Sequence, residues 1–210
     1  MKEFLLPYGK EKLTAAIEEE HLAGVLLSEL HSYKAPKSGS DLVQDALEHP
    51  IGTPRLCDMA VGKKNIVVIS SDHTRPVPSH IMMPLILAEI RKGNPDADIT
   101  ILISTGLHRT TTQEELTDKF GPEIMANEKI IVHDCDDNDN LVYLGKLPSG
   151  GNLIINRLAA EADLLVAEGF IEPHFFAGFS GGRKSVLPGV ASRETVMYNH
   201  NSGFIADPHA

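Results

Sequence analysis

The chain has 210 residues, 42% of them hydrophobic, which is enough to bury a sizeable core. Its formal charge is −10 and its basic residues form no block, so we expect no nucleic-acid partner. No apolar run is long enough for a signal peptide or a membrane span, and the two cysteines form no C-x-x-C pair, so we expect a cytoplasmic protein with no membrane partner and no disulfide scaffold.

The N-terminal part of the sequence is ambiguous, whereas the next segment has helix signals. The stretch KLTAAIEEEHLAGVLLSEL, residues 12–30, is compatible with strand or helix. Further on, Thr53 is placed as an N-cap, Pro54 as the first helical residue and Gly62 as a stop signal. The sequence therefore predicts a helix before the first buried strand.

Apolar runs then alternate with helical segments. Four runs predict strands buried on both faces, at residues 65–70, 98–104, 128–134 and 163–169. Residues 151–163 predict a short strand that leads into a helix.

Three further helices follow from the same reading. One spans residues 81–92, a second begins at a capping box formed by Thr111 and Glu114, and a third begins at Ser192 and ends on His200. The alternation of strands and helices predicts an α/β fold with a doubly wound, mainly parallel, Rossmann-like sheet and helices on both faces.

Polar residues follow three of the predicted strands. Ligands bind beyond the carboxyl ends of such sheets, so these loops should meet in one crevice. Each loop carries a histidine, and two carry an arginine that can bind a carboxylate. The residues are Ser71, Asp72, His73, Thr74, Arg75, Gly106, His108, Arg109, Glu172 and His174.

The third loop continues into EPHFFAGFSGGRKSVLPG, residues 172–189, which is typical of a phosphate-binding loop that also presents a lysine. It is not a P-loop, because Arg183 stands before Lys184 where that motif needs glycine. The sequence also lacks a G-x-G-x-x-G after the first strand and an H-E-x-x-H. A zinc-dependent hydrolase with scattered histidine ligands and a non-catalytic phosphate- or nucleotide-binding module both remain open.

Four elements, in order, carry a resemblance to a known family. They are SSDHTRP, STGLHR, the glycine loop and the terminal NH of TVMYNH, and they span Ser70 to His200. Together they resemble the N-terminal part of the lactate racemase and nickel-pincer family. The resemblance covers about half of that family's usual length. It therefore implies that residues 1–210 form an N-terminal cofactor-binding catalytic domain without the family's C-terminal domain, and that this chain alone binds cofactor without turning over.

The resemblance implies an isomerase that racemises a small 2-hydroxy acid, with lactate as the leading substrate. The implied cofactor is a nickel-pincer nucleotide of the nickel pyridinium-3,5-bisthiocarboxylic acid mononucleotide type, supplied by cofactor-synthesis proteins. Lys184 would tether it through a thioamide, His200 would ligate nickel, and His108 and His174 would form the acid–base pair. The cofactor would be lined by Asp72, His73, Thr74 and Arg75.

Overall fold

The computed structural model describes residues 1–174 and 178–207, and of His31 it describes the main chain alone. Part of the predicted glycine loop, residues 175–177, therefore lies outside the described residues. The chain divides into two compact units, Met1–Lys37 and Ser38–Ala210. No described helix is long and apolar enough to cross a membrane.

The N-terminal unit is an antiparallel hairpin followed by short 3₁₀ turns. Strand β1, Lys2–Tyr8, pairs along its whole length with β2, Glu11–Ile17. Gly9 in the connecting turn has φ +60°, a conformation that favours glycine. The 3₁₀ turns lie at Glu19–His21 and Glu29–Ser32. The ambiguous stretch is thus a strand followed by irregular chain, and not a helix.

The second unit is built on a four-stranded parallel sheet, as predicted. Its strand order is β5-β4-β3-β8, and every neighbouring pair is parallel. All four strands predicted from apolar runs are present. They are β3 (Asn65–Ser71), β4 (Asp98–Ser104), β5 (Lys129–Val132) and β8 (Leu164–Ala167). The predicted burial on both faces holds only for β3 and β4. The other two strands carry exposed apolar residues, Ile131 and Leu165.

Helices cover both faces of this sheet. The helices are α1 (Gly39–Glu48), α2 (Leu56–Ala60), α3 (Ser79–Gly93), α4 (Gln113–Phe120), α5 (Pro122–Asn127), α6 (Arg157–Ala160), α7 (Arg193–Asn199) and α8 (Ser202–Ile205). Alternate residues of β3 face opposite sides, so Ile66 and Val68 join a core with α3, whereas Val67 and Ile69 join a second core with α6 and α7. The two cores confirm the doubly wound arrangement.

Three helix starts were predicted at the wrong residues. Helix α3 begins at Ser79, two residues before the predicted residue 81. Helix α2 begins at Leu56 and not at Pro54, because Arg55 stays extended while its guanidinium binds the buried Glu89 carboxylate at 2.7 and 3.0 Å. The capping box of α4 is formed by Thr112 and Glu115, one residue beyond the predicted pair.

The capping-box shift has a physical reason. Thr111 is buried, and its hydroxyl is 3.2 Å from His73 Nδ1, so it serves a tertiary contact and not the helix end. By contrast, α7 begins after the predicted N-cap Ser192, whose hydroxyl accepts from the Thr195 N–H, and ends just before His200.

Antiparallel pairs complete the second unit. Strand β6, Leu141–Lys146, was not predicted, and it pairs with β7, Asn152–Asn156. The predicted passage from β7 into α6 is confirmed. Within the glycine loop, β9 (Pro173–His174) pairs with β10 (Gly178–Phe179).

Candidate functional site

A cavity of ≈310 Å³ lies beyond the carboxyl ends of β3, β4 and β8, where the sequence predicted a crevice. Side chains from all three strand ends line it together with the glycine loop and the end of α7. Six of the eight residues predicted to act at the site are among its lining residues: Asp72, Arg75, His108, His174, Lys184 and His200.

Asp72 and His108 form a close pair at the wall of this cavity. His108 Nδ1 is 2.6 Å from Asp72 Oδ2, and Asp72 is only 2% exposed. The other oxygen, Oδ1, accepts hydrogen bonds from the Thr74 N–H at 3.1 Å and the Thr74 hydroxyl at 2.6 Å.

The protonation of this pair follows from its surroundings. Burial opposes ionisation of Asp72, but the hydrogen bonds from Thr74 and His108 outweigh it and hold the pKa of Asp72 below its ordinary value. An ionised carboxylate can only accept hydrogen bonds, so His108 donates to it through Nδ1–H. In the neutral imidazole the other ring nitrogen, Nε2, then carries no hydrogen and can accept a proton. Asp72 therefore sets the tautomer and orientation of His108.

His73 and Thr74, which the resemblance placed at the cofactor, are not among the cavity-lining residues. Thr74 is used to hold Asp72. His73 instead contacts Thr111, and its Nδ1 lies 3.9 Å from a Glu115 carboxylate oxygen. Both residues support the loop that carries Asp72.

The two candidate arginines are in different situations. Arg109 donates two hydrogen bonds to the Glu115 carboxylate, at 2.5 and 2.9 Å, which lower the pKa of Glu115 to about 2. The guanidinium group of Arg109 is therefore already paired with Glu115 and is not available to a ligand carboxylate. Arg75 lines the cavity and donates to the Thr74 hydroxyl at 3.0 Å. Of these two, Arg75 is the one placed to meet an anionic ligand.

Lys184 lies in a 3₁₀ turn, Gly182–Ser185, that the glycine loop makes beside the cavity. Burial, and then the positive charge of Arg75, lower the pKa of Lys184 below its ordinary value. The preceding Gly181 has φ +82°, and a Cβ there would lie 2.6 Å from the Phe170 carbonyl oxygen. The chain therefore turns tightly where it presents an amine that loses its proton more readily than an exposed lysine.

His174, on β9, faces a cationic environment. Burial, followed by the charges of Lys184, Arg75 and His200, lowers the pKa of His174. Its imidazole is therefore held neutral, the state in which it can accept a proton.

His200 caps the C-terminal end of α7, and several contacts fix that helix. The Thr195 hydroxyl donates to the Asn152 carbonyl at 2.8 Å and accepts from the Ile154 N–H at 3.0 Å. The Tyr198 hydroxyl donates to the Ser149 carbonyl at 2.6 Å. The β6–β7 hairpin thus holds the helix that carries His200, and burial lowers the pKa of His200, which favours a neutral ligating nitrogen.

A main-chain hydrogen bond joins two of the loops around the cavity. The Gly106 N–H, just before His108, donates to the Gly189 carbonyl at 2.9 Å. A Cβ at Gly189 would lie 2.2 Å from the Ser185 carbonyl oxygen and 2.9 Å from Ser104 Cβ. The loops of His108 and Lys184 can therefore approach this closely because glycine occupies position 189.

Sequence reasoning missed Glu168, which directly follows β8 and borders the cavity while only 3% exposed. Its Oε1 accepts from the hydroxyls of Ser70 and Ser79, each at 2.5 Å, whereas Oε2 has no hydrogen-bond partner among the described residues. The sequence signal that could have identified Glu168 is its position as an acidic residue directly after a predicted strand.

Among the described residues, one group of three side chains has atoms close enough to share a metal ion: Asp134, Cys135 and Asp136. Arg193 occupies it, since its guanidinium donates to both Asp136 oxygens and contacts the Cys135 sulfur at 3.6 Å. No histidine of the cavity belongs to it, so the scattered-ligand zinc site is not assembled within the described part of the chain.

Comparison with known proteins supports the sequence resemblance. Residues 8–210 match the family model described as the lactate racemase N-terminal domain. The chain is 58% identical over 205 residues to the lactate racemase of Thermoanaerobacterium thermosaccharolyticum and 55% identical to that of Lactiplantibacillus plantarum. Each match covers 98% of this chain and 48% of the relative, so the chain spans about half the length of the curated relatives it matches.

Solved structures agree. The lactate racemase apoprotein of T. thermosaccharolyticum matches 100% of this chain and 48% of its own, with a TM-score of 0.87 and 56% identity. A Thermotoga maritima protein matches 75% of this chain and 38% of its own, with a TM-score of 0.58 and 26% identity.

Proposed function

The chain belongs to the lactate racemase N-terminal domain family, and we propose that it is the cofactor-binding, acid–base half of a racemase that acts on a small 2-hydroxy acid. Lactate is the leading substrate, because both curated relatives named above are lactate racemases. The observation that carries the proposal is one cavity that gathers the Asp72–His108 pair, His174, Arg75 and a lysine of lowered pKa.

The chemistry of the substrate explains why such a site is needed. The α-proton of a 2-hydroxy acid is poorly acidic beside a carboxylate, so direct proton abstraction would be difficult. Removing hydride from the α-carbon while a base takes the hydroxyl proton gives a flat 2-keto acid. Return of hydride and proton on the opposite face then gives the other enantiomer.

The residues present fit the nickel-pincer nucleotide that the family resemblance implies. When bound, this group supplies an electrophilic ring carbon that can take up and return hydride. Lys184 would form the covalent thioamide link, since the lowered pKa of its amine favours a nucleophile. His200 would give nickel a neutral imidazole nitrogen, and nickel(II) suits tetragonal sites with sulfur and nitrogen donors. The glycine turn at 181–182 would allow the main chain to approach a phosphate.

The two histidines take the proton-transfer roles. His108, held by Asp72 with Nε2 as its second nitrogen, would take or give the hydroxyl proton for one enantiomer. His174, kept neutral by burial and then by its cationic surroundings, would do so for the other. Each is base in one direction and acid in the reverse direction. Arg75 would orient the substrate carboxylate, while Arg109 stays with Glu115.

Mass spectrometry and metal analysis test this function together. The chain is produced with the proteins that make the cofactor, and its tryptic peptides are mapped. We expect an adduct on Lys184 and about one nickel per chain. Lys184→Arg should lose both the adduct and the nickel. His200→Ala should keep the adduct and bind less nickel. An adduct on another lysine would refute the tether. Zinc at full stoichiometry with no nickel would favour the hydrolase alternative.

A further inference from the structure

We propose that one face of the N-terminal hairpin is a docking surface for the C-terminal half that the relatives carry beyond the matched segment. This proposal is independent of the chemistry at the cavity. It starts from the register of β1 and β2, which decides which side chains share a face.

The register separates an apolar face from a mixed one. Opposed pairs put Phe4 with Ala15 and Leu6 with Leu13, and the same face continues to Ile17 and Tyr8. We call these six residues the hairpin face: Phe4, Leu6, Tyr8, Leu13, Ala15 and Ile17. Charged side chains stand only at its two ends, Lys2 and Glu11.

Four of the six side chains of the hairpin face are exposed, and those of Phe4 and Ala15 are half-buried. Leu6 and Leu13 at its centre are 51% and 50% exposed, and Tyr8 is 67% exposed. No residue of the N-terminal unit whose side chain is described is buried. A lone two-stranded hairpin is marginal in water, and contiguous exposed apolar surface of this kind usually marks an interface. The hairpin therefore needs a covering surface to be stable.

The comparisons indicate what covers it. The solved apoprotein relative matches all of this chain, hairpin included, yet the match accounts for 48% of that longer chain. The remaining half of such a chain is tethered to the matched segment at high effective concentration, so a weak apolar contact suffices to bury the face. Because the centre of the face carries no charge, the docking surface on that half should be apolar.

Cysteine accessibility tests the proposal with neighbouring reporters. Leu13→Cys lies on the hairpin face and Thr14→Cys on the opposite face, and the native Cys57 and Cys135 are both buried and give little background. Each variant is made in the 210-residue chain and in that chain joined to the C-terminal half of the T. thermosaccharolyticum relative.

We expect thiol labelling at position 13 to slow by roughly tenfold or more in the longer chain, with position 14 changing less than about twofold. Equal labelling of position 13 in the two chains would overturn the proposal. So would protection in the 210-residue chain: concentration-dependent protection would indicate a second copy, and concentration-independent protection a surface within the chain.

A second measurement does not depend on labelling. Leu13→Asp should lower the melting temperature of the longer chain by several degrees, because it buries a charge at the docked face, and Thr14→Asp should not. In the 210-residue chain the two variants should behave alike. An unchanged melting temperature for Leu13→Asp in the longer chain would contradict docking.

Discussion

Replacing Asp72 by Asn tests whether this residue acts through His108. The variant keeps the shape of the side chain but removes the ionised acceptor 2.6 Å from His108 Nδ1. Its amide can present N–H to the imidazole, which would turn Nδ1 into an acceptor and leave a proton on Nε2. The histidine would then face the cavity in the wrong tautomer for accepting a proton.

The size of the effect follows from the lost contact. A hydrogen bond to a charged group contributes about 1.5–3 kcal/mol net. At about 1.36 kcal/mol for each tenfold in rate, its loss from the acid–base step predicts a decrease of roughly 10- to 10²-fold. Both directions should slow, because His108 acts in each.

Two assays check this. Initial rates from each enantiomer are measured in a chain completed by the family's C-terminal half and loaded with cofactor. Separately, ¹⁵N chemical shifts of His108 in the 210-residue chain report its tautomer, and they should change in Asp72→Asn while His73→Gln leaves them alone. Wild-type rates together with an unchanged His108 tautomer would refute the assignment of Asp72 as a positioning residue.

Three further predictions concern the acid–base pair, the helix α7 anchor and acid stability. His108→Ala and His174→Ala should each lower the rate from both enantiomers by roughly 10²- to 10⁴-fold while nickel content is retained. Gly151→Ala should lower the free energy of unfolding by about 1–3 kcal/mol in urea titrations, because its Cβ would lie 2.2 Å from the Tyr198 ring if nothing moved. Burial lowers the pKa of His133 below 6.5 in the folded state. The contribution of the neutral His133 to the free energy of unfolding should therefore be complete above pH 6.5 and be lost as the pH falls toward the folded-state pKa. His133→Gln should make the free energy of unfolding less dependent on pH in this range.

Each of these predictions has its own control. If nickel is lost along with activity in either histidine variant, that histidine is a metal ligand and not an acid or base. Gly169→Ala meets no atom within 4 Å, so it should leave stability nearly unchanged. For the acid dependence, an equally steep loss of stability in His133→Gln would assign the effect to other groups.

The parts predicted best from sequence are those fixed by local chain chemistry. Strands β3 and β4 are buried on both faces, which leaves a continuous apolar run in the sequence. The rule that ligands bind at the carboxyl edge of a parallel sheet then predicts that Asp72, His108 and His174 lie near one another, and all three line the cavity. Strand ends and loop composition carried this information.

The parts that were missed depend on contacts between distant residues. The shift of the α4 capping box follows from a contact between His73 and Thr111, which are far apart in sequence. The hairpin strand β2 is short and exposed, so the pattern of residues 12–30 did not separate strand from helix. The role of Asp72 in holding His108 could be seen only from their 2.6 Å contact.

The hydrogen bond from Gly106 to Gly189 has a consequence for how this scaffold can diverge. Because both groups belong to the main chain, no exchange of a functional side chain removes this link. The distance between the loop of His108 and the loop of Lys184 therefore does not depend on which side chains line the cavity. Protein engineers could vary other cavity-lining side chains, such as Leu107, while Arg75 is kept to orient the carboxylate and the frame around the cavity keeps its dimensions.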